Sequence, residues 1–228
     1  TYTFTENSLF AVSRHTCILL LLATGRRVHD LTLLSIENGA YEDKGDEVIF
    51  WPKFGSKTDN NSYRQSGWLL RKPPEISNKQ LDLVFWIKKL ILVSSDRRNP
   101  RSLQNLLITT RGVAKNASRT VIAGWIRTLF KEAGISASAG SFRSAVSSHN
   151  WVNGQHNIDD ILRRGNWRSK NTFFKHYFKE LKYVPRSNSN DLSTSFSPIS
   201  RSLNHPLSAL PAQGTETSKW PPRAAVSV

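Results

Sequence analysis

Arginine, lysine and tyrosine dominate the residues of this chain that could do chemistry. Its 228 residues hold 32 Lys plus Arg against 17 Asp plus Glu, a formal charge of +15. No glycine-rich phosphate loop is present, since Gly134, Gly140 and Gly154 stand alone. No run of carboxylates suits a two-metal site either. Asp159 and Asp160 are adjacent and would point to different sides of a helix, as a solvated helix start does. A single cysteine, Cys17, excludes a disulfide framework, and no Cys and His cluster has zinc spacing. What is left suits phosphoryl transfer without a metal: fixed cations hold the equatorial oxygens while a side-chain oxygen attacks in line.

The positive charge is concentrated. Residues 1–183 carry 28 basic and 15 acidic side chains, and residues 184–228 carry four and two. From Arg97 to Lys131 eight basic residues meet no acid, and from Arg163 to Lys182 seven meet only Glu180. Such a surface repels itself unless it faces phosphates, and nucleic acid is the commonest phosphate array. The bland alternative is a basic surface that serves only solubility.

Several helices must position these groups. Leu9 to Leu34 reads as two helices broken at Gly25. Glu47 to Trp51 and Gly67 to Leu70 read as hairpin strands around a polar turn over 55–62. Asn78 is expected to cap a helix whose inner face is Leu81, Val84, Phe85, the Lys88 stem, Ile91 and Leu92. The clearest period is Arg119–Ala133, with Ile122, Trp125, Ile126, Leu129 and Phe130 on one face and Gly134 as a stop. Helices follow at about Ser141–Trp151, Asn157–Arg164 and Ser169–Phe178. The longest apolar run, Cys17 to Ala23, is too short to cross a bilayer, so no membrane partner is expected. Six of the ten prolines lie in residues 185–228, among many Ser and Asn. The expected organisation is a mostly α domain over 1–183 with a small antiparallel β-sheet, then a Pro/Ser-rich disordered tail over 184–228.

Five short segments, in order, resemble the motifs of the tyrosine recombinase (phage integrase) family. Ala23-Thr-Gly-Arg-Arg-Val-His-Asp-Leu31 is similar to its first arginine motif, with Arg27 on the catalytic arginine and Asp30 on the supporting acid. Gly55-Ser-Lys-Thr58 resembles the turn that presents the family's lysine, here Lys57. Ser141-Phe-Arg-Ser-Ala145 is similar to the second arginine motif, with Arg143 in the key place. Arg164-Gly-Asn-Trp167 resembles the segment carrying a His or Trp, and Thr172-Phe-Phe-Lys-His-Tyr177 the nucleophile helix. The Trp, and a Tyr ten residues after it, look most like the recombinases of eukaryotic DIRS-like or Crypton-like mobile elements. Together the segments cover about residues 9–183.

The resemblance implies a catalytic-domain fold that cleaves and rejoins double-stranded DNA through a 3′-phosphotyrosine intermediate, with no cofactor and no metal. Tyr177 would be the nucleophile, Arg27 and Arg143 the phosphate ligands, and Asp30 a support for the Arg27 guanidinium. Lys57 would protonate the leaving oxygen, with Lys53 as its competitor, and Trp167 would donate its indole N–H or serve as an aromatic anchor. Arg26, Lys115, Arg119, Arg168 and Lys170 are expected to contact DNA. Family members act as DNA-bound tetramers, and a mobile-element origin would place the protein in the nucleus, otherwise in the cytoplasm. The family normally adds an N-terminal DNA-gripping domain, whereas this chain starts almost at the first catalytic helix; a fragment, or reliance on other contacts for grip, is expected.

One position departs from the pattern. The family's His-x-x-Arg places Gly140 where the histidine stands, so that role is lost or falls to His149 or His176. Three alternatives therefore stay open: a catalytically impaired, domesticated DNA-binding module; a type IB topoisomerase; and a helical interaction module without DNA chemistry.

Overall fold

The computed structural model describes residues 8–73, 78–154, 156–179 and 195–200. Helix α1 (Leu9–Thr24) is buried on nearly every side: its apolar run Cys17–Ala23 lies in the core, and Ser13, Arg14 and Thr16 of its polar middle are buried as well. It ends at Gly25, whose φ of 62° is left-handed and suits glycine. A short helix α2 (Val28–Leu31) follows. Strands β1 (Tyr41–Asp43), β2 (Glu47–Phe50) and β3 (Gly67–Arg71) form an antiparallel meander, with Ile49 facing Leu69 across β2 and β3.

Helices α3 (Leu83–Val93), α4 (Ser95–Arg98), α5 (Arg119–Glu132), α6 (Ser141–Val152), α7 (Ile158–Gly165) and α8 (Lys170–His176) complete the helical part. α1 packs against α3, α5 and α6, and the sheet leans on α3 and α7. Most of the core is one cluster centred on Leu19, Leu20, Leu21, Trp68 and Trp86. A smaller cluster of Ile161, Trp167 and Phe173 joins α7 to α8 and takes in Tyr177 and Phe178. The fold is thus mostly helical with a small antiparallel sheet, as expected.

Three expectations are corrected. Asn78 caps only a single 3-10 turn over 79–81, and α3 starts afresh at Asp82, whose Oδ1 accepts from the Phe85 N–H at 2.9 Å. The inner face of α3 is Leu83, Val84, Trp86, Ile87 and Leu90, while Leu92 is 67% exposed. An unbroken apolar run over 90–93 hides the helical phase from pattern reading. The tail is not featureless: Phe196–Ile199 form β4, antiparallel to β3, although 184–194 and 201–228 lie outside the described residues. Pro198 is tolerated because β4 is an edge strand. Phe196 is fully buried against Trp68, and this one anchor holds a stretch otherwise rich in serine.

Asp82→Ala is expected to cost about 1 kcal/mol through loss of the cap, and Leu92→Ala less than about 0.5 kcal/mol. Denaturant unfolding of the two variants checks both figures.

Candidate active site

The cleft is built where three chain breaks meet. Arg27 is the cap residue of α2, and Asp30 Oδ2 accepts from its backbone N–H at 3.2 Å. Asp30 Oδ1 accepts from the Ser56 hydroxyl at 2.9 Å. Asp30 therefore holds backbone and turn, and among the described residues it forms no ion pair with the Arg27 guanidinium that it was expected to support. Lys57 projects from the β2–β3 connection and is exposed. Its competitor Lys53 is paired with Glu37 at 3.2 Å, outside the cleft.

Arg143 lies in the first turn of α6, only 3% exposed. Its Nη1 donates to the carbonyls of Gly25 at 3.2 Å and Gly165 at 2.5 Å. Its guanidinium carbon stacks 3.7 Å from the centre of the Trp167 ring and 5.0 Å from that of Tyr177. Gly165 is needed for this approach, and Gly25 eases it. A Cβ on Gly165 would fall 1.8 Å from Trp167 Cζ3, and one on Gly25 would press Ser147 Oγ at 3.3 Å. Tyr177 is the residue after α8, half-buried, with its ring 5.2 Å from Trp167.

Arg27, Lys57, Arg143 and Tyr177 thus line one open cleft of roughly 590 Å³, together with His29, Arg119 and Gly140. No Asp or Glu is among its lining residues within the described chain. Several donors beside it are buried without a partner: Arg27 Nη1, Arg143 Nε and Nη2, and Trp167 Nε1. Burial, then the nearby Arg27 charge, lowers Arg143 to a pKa of about 9, with Asp30 opposing. Desolvated cations with unused donors are an anion site in waiting. Tetrahedral phosphate, with several acceptor oxygens, matches the two forks.

The other expected residues divide. Arg26 borders the cleft but has no exposed surface: it donates to Ser66 Oγ at 3.0 Å and lies against the rings of Trp68 and Phe196. Burial lowers its pKa to about 10. Trp167 is 5% exposed and is not among the residues lining the cleft; it packs against Arg143, Phe173 and Tyr177, while its Nε1–H has no partner. Arg119 reaches the cleft; Lys115, Arg168 and Lys170 are exposed outside it, with Arg168 bonded to the Thr58 carbonyl and Lys170 paired with Asp159 at 3.4 Å. His149 and His176 are exposed and do not line the cleft, whereas His29 does, its Nε2 bonded to the Gly55 carbonyl at 3.1 Å. Nothing in the chain's spacing marked His29, which stands at a variable place of the first motif. At Gly140 a Cβ would meet only Ser138 Oγ at 3.7 Å, so the wall is open there. Asp159 and Asp160 begin α7, and no cluster of three potential metal ligands occurs among the described residues.

No protein-family model matches the sequence. No curated protein matches it. Among solved structures, the fold is similar to that of the crystal structure of XerA recombinase, with a TM-score of 0.50 at 19% identity, over 79% of this chain and 59% of that one. This chain therefore spans less than two thirds of that recombinase. The likeness shows the fold, that of a tyrosine-recombinase-like catalytic domain.

The lowered Arg143 pKa gives a sign. Burial and the neighbouring Arg27 charge both disfavour the charged form of Arg143, whereas a bound anion favours it. Pyrophosphate is therefore expected to raise the melting temperature at pH 7. Arg143→Met should abolish the shift, measured by differential scanning fluorimetry.

Proposed function

We propose that the chain cuts and rejoins one strand of duplex DNA by attack of Tyr177 on a backbone phosphate. The observation that carries this is that Tyr177, Arg27, Arg143 and Lys57 line one cleft, with no Asp or Glu among its described lining residues and with buried guanidinium donors left unpartnered. In this reading the phenol oxygen attacks phosphorus as the bond to the 5′ oxygen breaks. Arg27 and Arg143 take the non-bridging oxygens, whose charge grows toward the transition state. Lys57 gives its proton to the departing 5′ oxygen, a step open to a lysine and closed to an arginine at neutral pH. The products are a 3′-phosphotyrosine and a free 5′ hydroxyl. Attack by a 5′ hydroxyl on a phosphotyrosine reverses the chemistry and seals a junction, so no nucleotide triphosphate is consumed.

Double-stranded DNA is the proposed partner, with the exposed cations Arg119, Lys115, Arg168 and Lys170 on its phosphates and a tetramer as the working assembly. The Trp167 variant and its ten-residue step to Tyr177 favour a mobile-element recombinase of the DIRS-like or Crypton-like kind, acting in the nucleus.

A second reading rests on Gly140, which leaves a bare wall where an imidazole would stand. On that reading the chain is a DNA-binding module with impaired turnover.

A nicked suicide duplex separates the two. Wild type is expected to form a protease-sensitive adduct at the 3′ side of the cut, and Tyr177→Phe none. Arg27→Ala and Arg143→Ala should each lose about a hundredfold or more in rate, the size of one missing transition-state donor. Salt-sensitive DNA binding without adduct, and adduct recovered in Gly140→His, would favour the impaired module instead.

A further inference from the structure

The turn that carries Lys57 is gripped on both sides of the lysine by one side chain that no motif singles out. Asn166 is 1% exposed, at the C-terminal cap of α7 with φ of 56°. Its Nδ2 donates to Ser56 Oγ at 3.2 Å and to Thr58 Oγ1 at 2.5 Å. Ser56 and Thr58 are the immediate neighbours of Lys57. The Asn166 Oδ1 accepts from the Tyr63 hydroxyl at 2.9 Å, across the same connection.

The protons in this network are determined by its end point. The Asp30 carboxylate is acceptor-only, so Ser56 must donate to it. Ser56 Oγ can then only accept from Asn166, which places the amide nitrogen, not the oxygen, at the turn. The Asn166 oxygen is left for the Tyr63 hydroxyl. All polar atoms of the Asn166 amide are thereby satisfied, in a buried setting where a lost partner is costly. The chain Tyr63, Asn166, Ser56, Asp30 links the turn to α2, which Arg27 begins. Asn166 also sits between Gly165, whose carbonyl holds Arg143, and Trp167, on which Arg143 stacks.

We propose that Asn166 is a positioning residue that sets Lys57 against the phosphate held by Arg27 and Arg143, an inference that rests on the strand-cleavage reading above. As the Tyr177 oxygen bonds to phosphorus and the bond to the 5′ oxygen breaks, the Lys57 ammonium supplies the proton that the 5′ oxygen needs. The phenol's own proton passes to solvent, from which Lys57 is later reprotonated. Fixing the Lys57 backbone through both neighbours leaves only its side-chain torsions to be ordered at that moment. An asparagine could occupy this left-handed position for its backbone preference alone. The test must therefore separate capping from proton delivery.

Cleavage is compared on two nicked duplexes, one with the ordinary 5′ oxygen and one with a bridging 5′ sulfur at the scissile phosphate. A thiolate leaves without being protonated, because a thiol is far more acidic than an alcohol. Glycine keeps the left-handed conformation, so Asn166→Gly removes the amide and not the cap geometry. On the oxygen substrate Lys57→Ala should slow cleavage on the order of a hundredfold and Asn166→Gly about tenfold. On the sulfur substrate both should come within about threefold of wild type, and Ser56→Ala should follow the same pattern. Arg143→Ala should stay slow on both, since its oxygens are unchanged. Equal slowing of Asn166→Gly on the two substrates, or no slowing on either, overturns the positioning role while the Tyr177 adduct of the wild type stands. No Tyr177-dependent adduct from wild type on either substrate overturns the strand-cleavage reading itself, and the inference with it.

Discussion

The stack of the Arg143 guanidinium on Trp167, with Nη1 tied to two glycine carbonyls, is the contact around which the rest is arranged. It draws the end of α1, the start of α6 and the end of α7 to one point. Gly25 is favoured by its left-handed backbone, with a Cβ there pressing only lightly on α6, and Gly165 must be small for the indole to lie over it. Tyr177 then follows, since its ring packs on the same indole and α8 is too short to place it elsewhere. A desolvated cation next to a second arginine destabilises the folded chain on its own. The large apolar cluster around α1 tolerates that cost, and a phosphate in the cleft would reverse its sign.

Net charge pointed to a polyanion as the expected partner but said nothing of the work of individual cations. Arg26 and Arg98 are as basic in sequence as Arg27 and Arg119, yet both are buried. Arg98 donates to the carbonyls of Leu103, Asn105 and Leu106 and so shapes the loop after α4. Arg97 likewise donates to the carbonyls of Thr109 and Gly112. Part of the basic run from Arg97 to Lys131 is therefore internal scaffolding. Such partners are backbone oxygens several residues away, and composition carries no trace of them.

Helices with a sharp period and a polar cap were legible in the sequence. Asn157 and Ser169 each accept from a backbone N–H of the first turn of α7 and α8, and Ser118, which the sequence reading passed over, does the same for α5. Convergence of Arg27, Lys57, Arg143 and Tyr177 was legible only through resemblance, because their meeting depends on packing between distant segments. β1 escaped notice because it is three residues with two acids, and β4 because one phenylalanine anchors a serine-rich stretch. Asp30 shared a helical face with Arg27 on paper, but Arg27 precedes α2 as its cap, and the carboxylate turned back to the backbone and to Ser56. Asn166 lies inside the segment Arg164–Trp167, but nothing there marked its hold on the turn, since its partners lie more than a hundred residues earlier in the chain.

The bare wall at Gly140 shifts the chemical load of the proposed reaction. Without an imidazole there, stabilisation of the growing phosphate charge falls on Arg27 and Arg143, and fixed charges of this kind usually lower such a barrier more than any single proton transfer does. Proton delivery falls on Lys57. His29 lines the cleft, but its Nε2 is bonded to the Gly55 carbonyl, so it braces the same turn from the α2 side. The turn is then held by His29 and Asp30 on one flank and by Asn166 on the other, with Asp59 closing it internally through the N–H groups of Gly55, Ser56 and Gln65. A site with one proton donor gains most from fixing that donor before the substrate arrives, because orientation is the part of the barrier that a folded scaffold removes in advance.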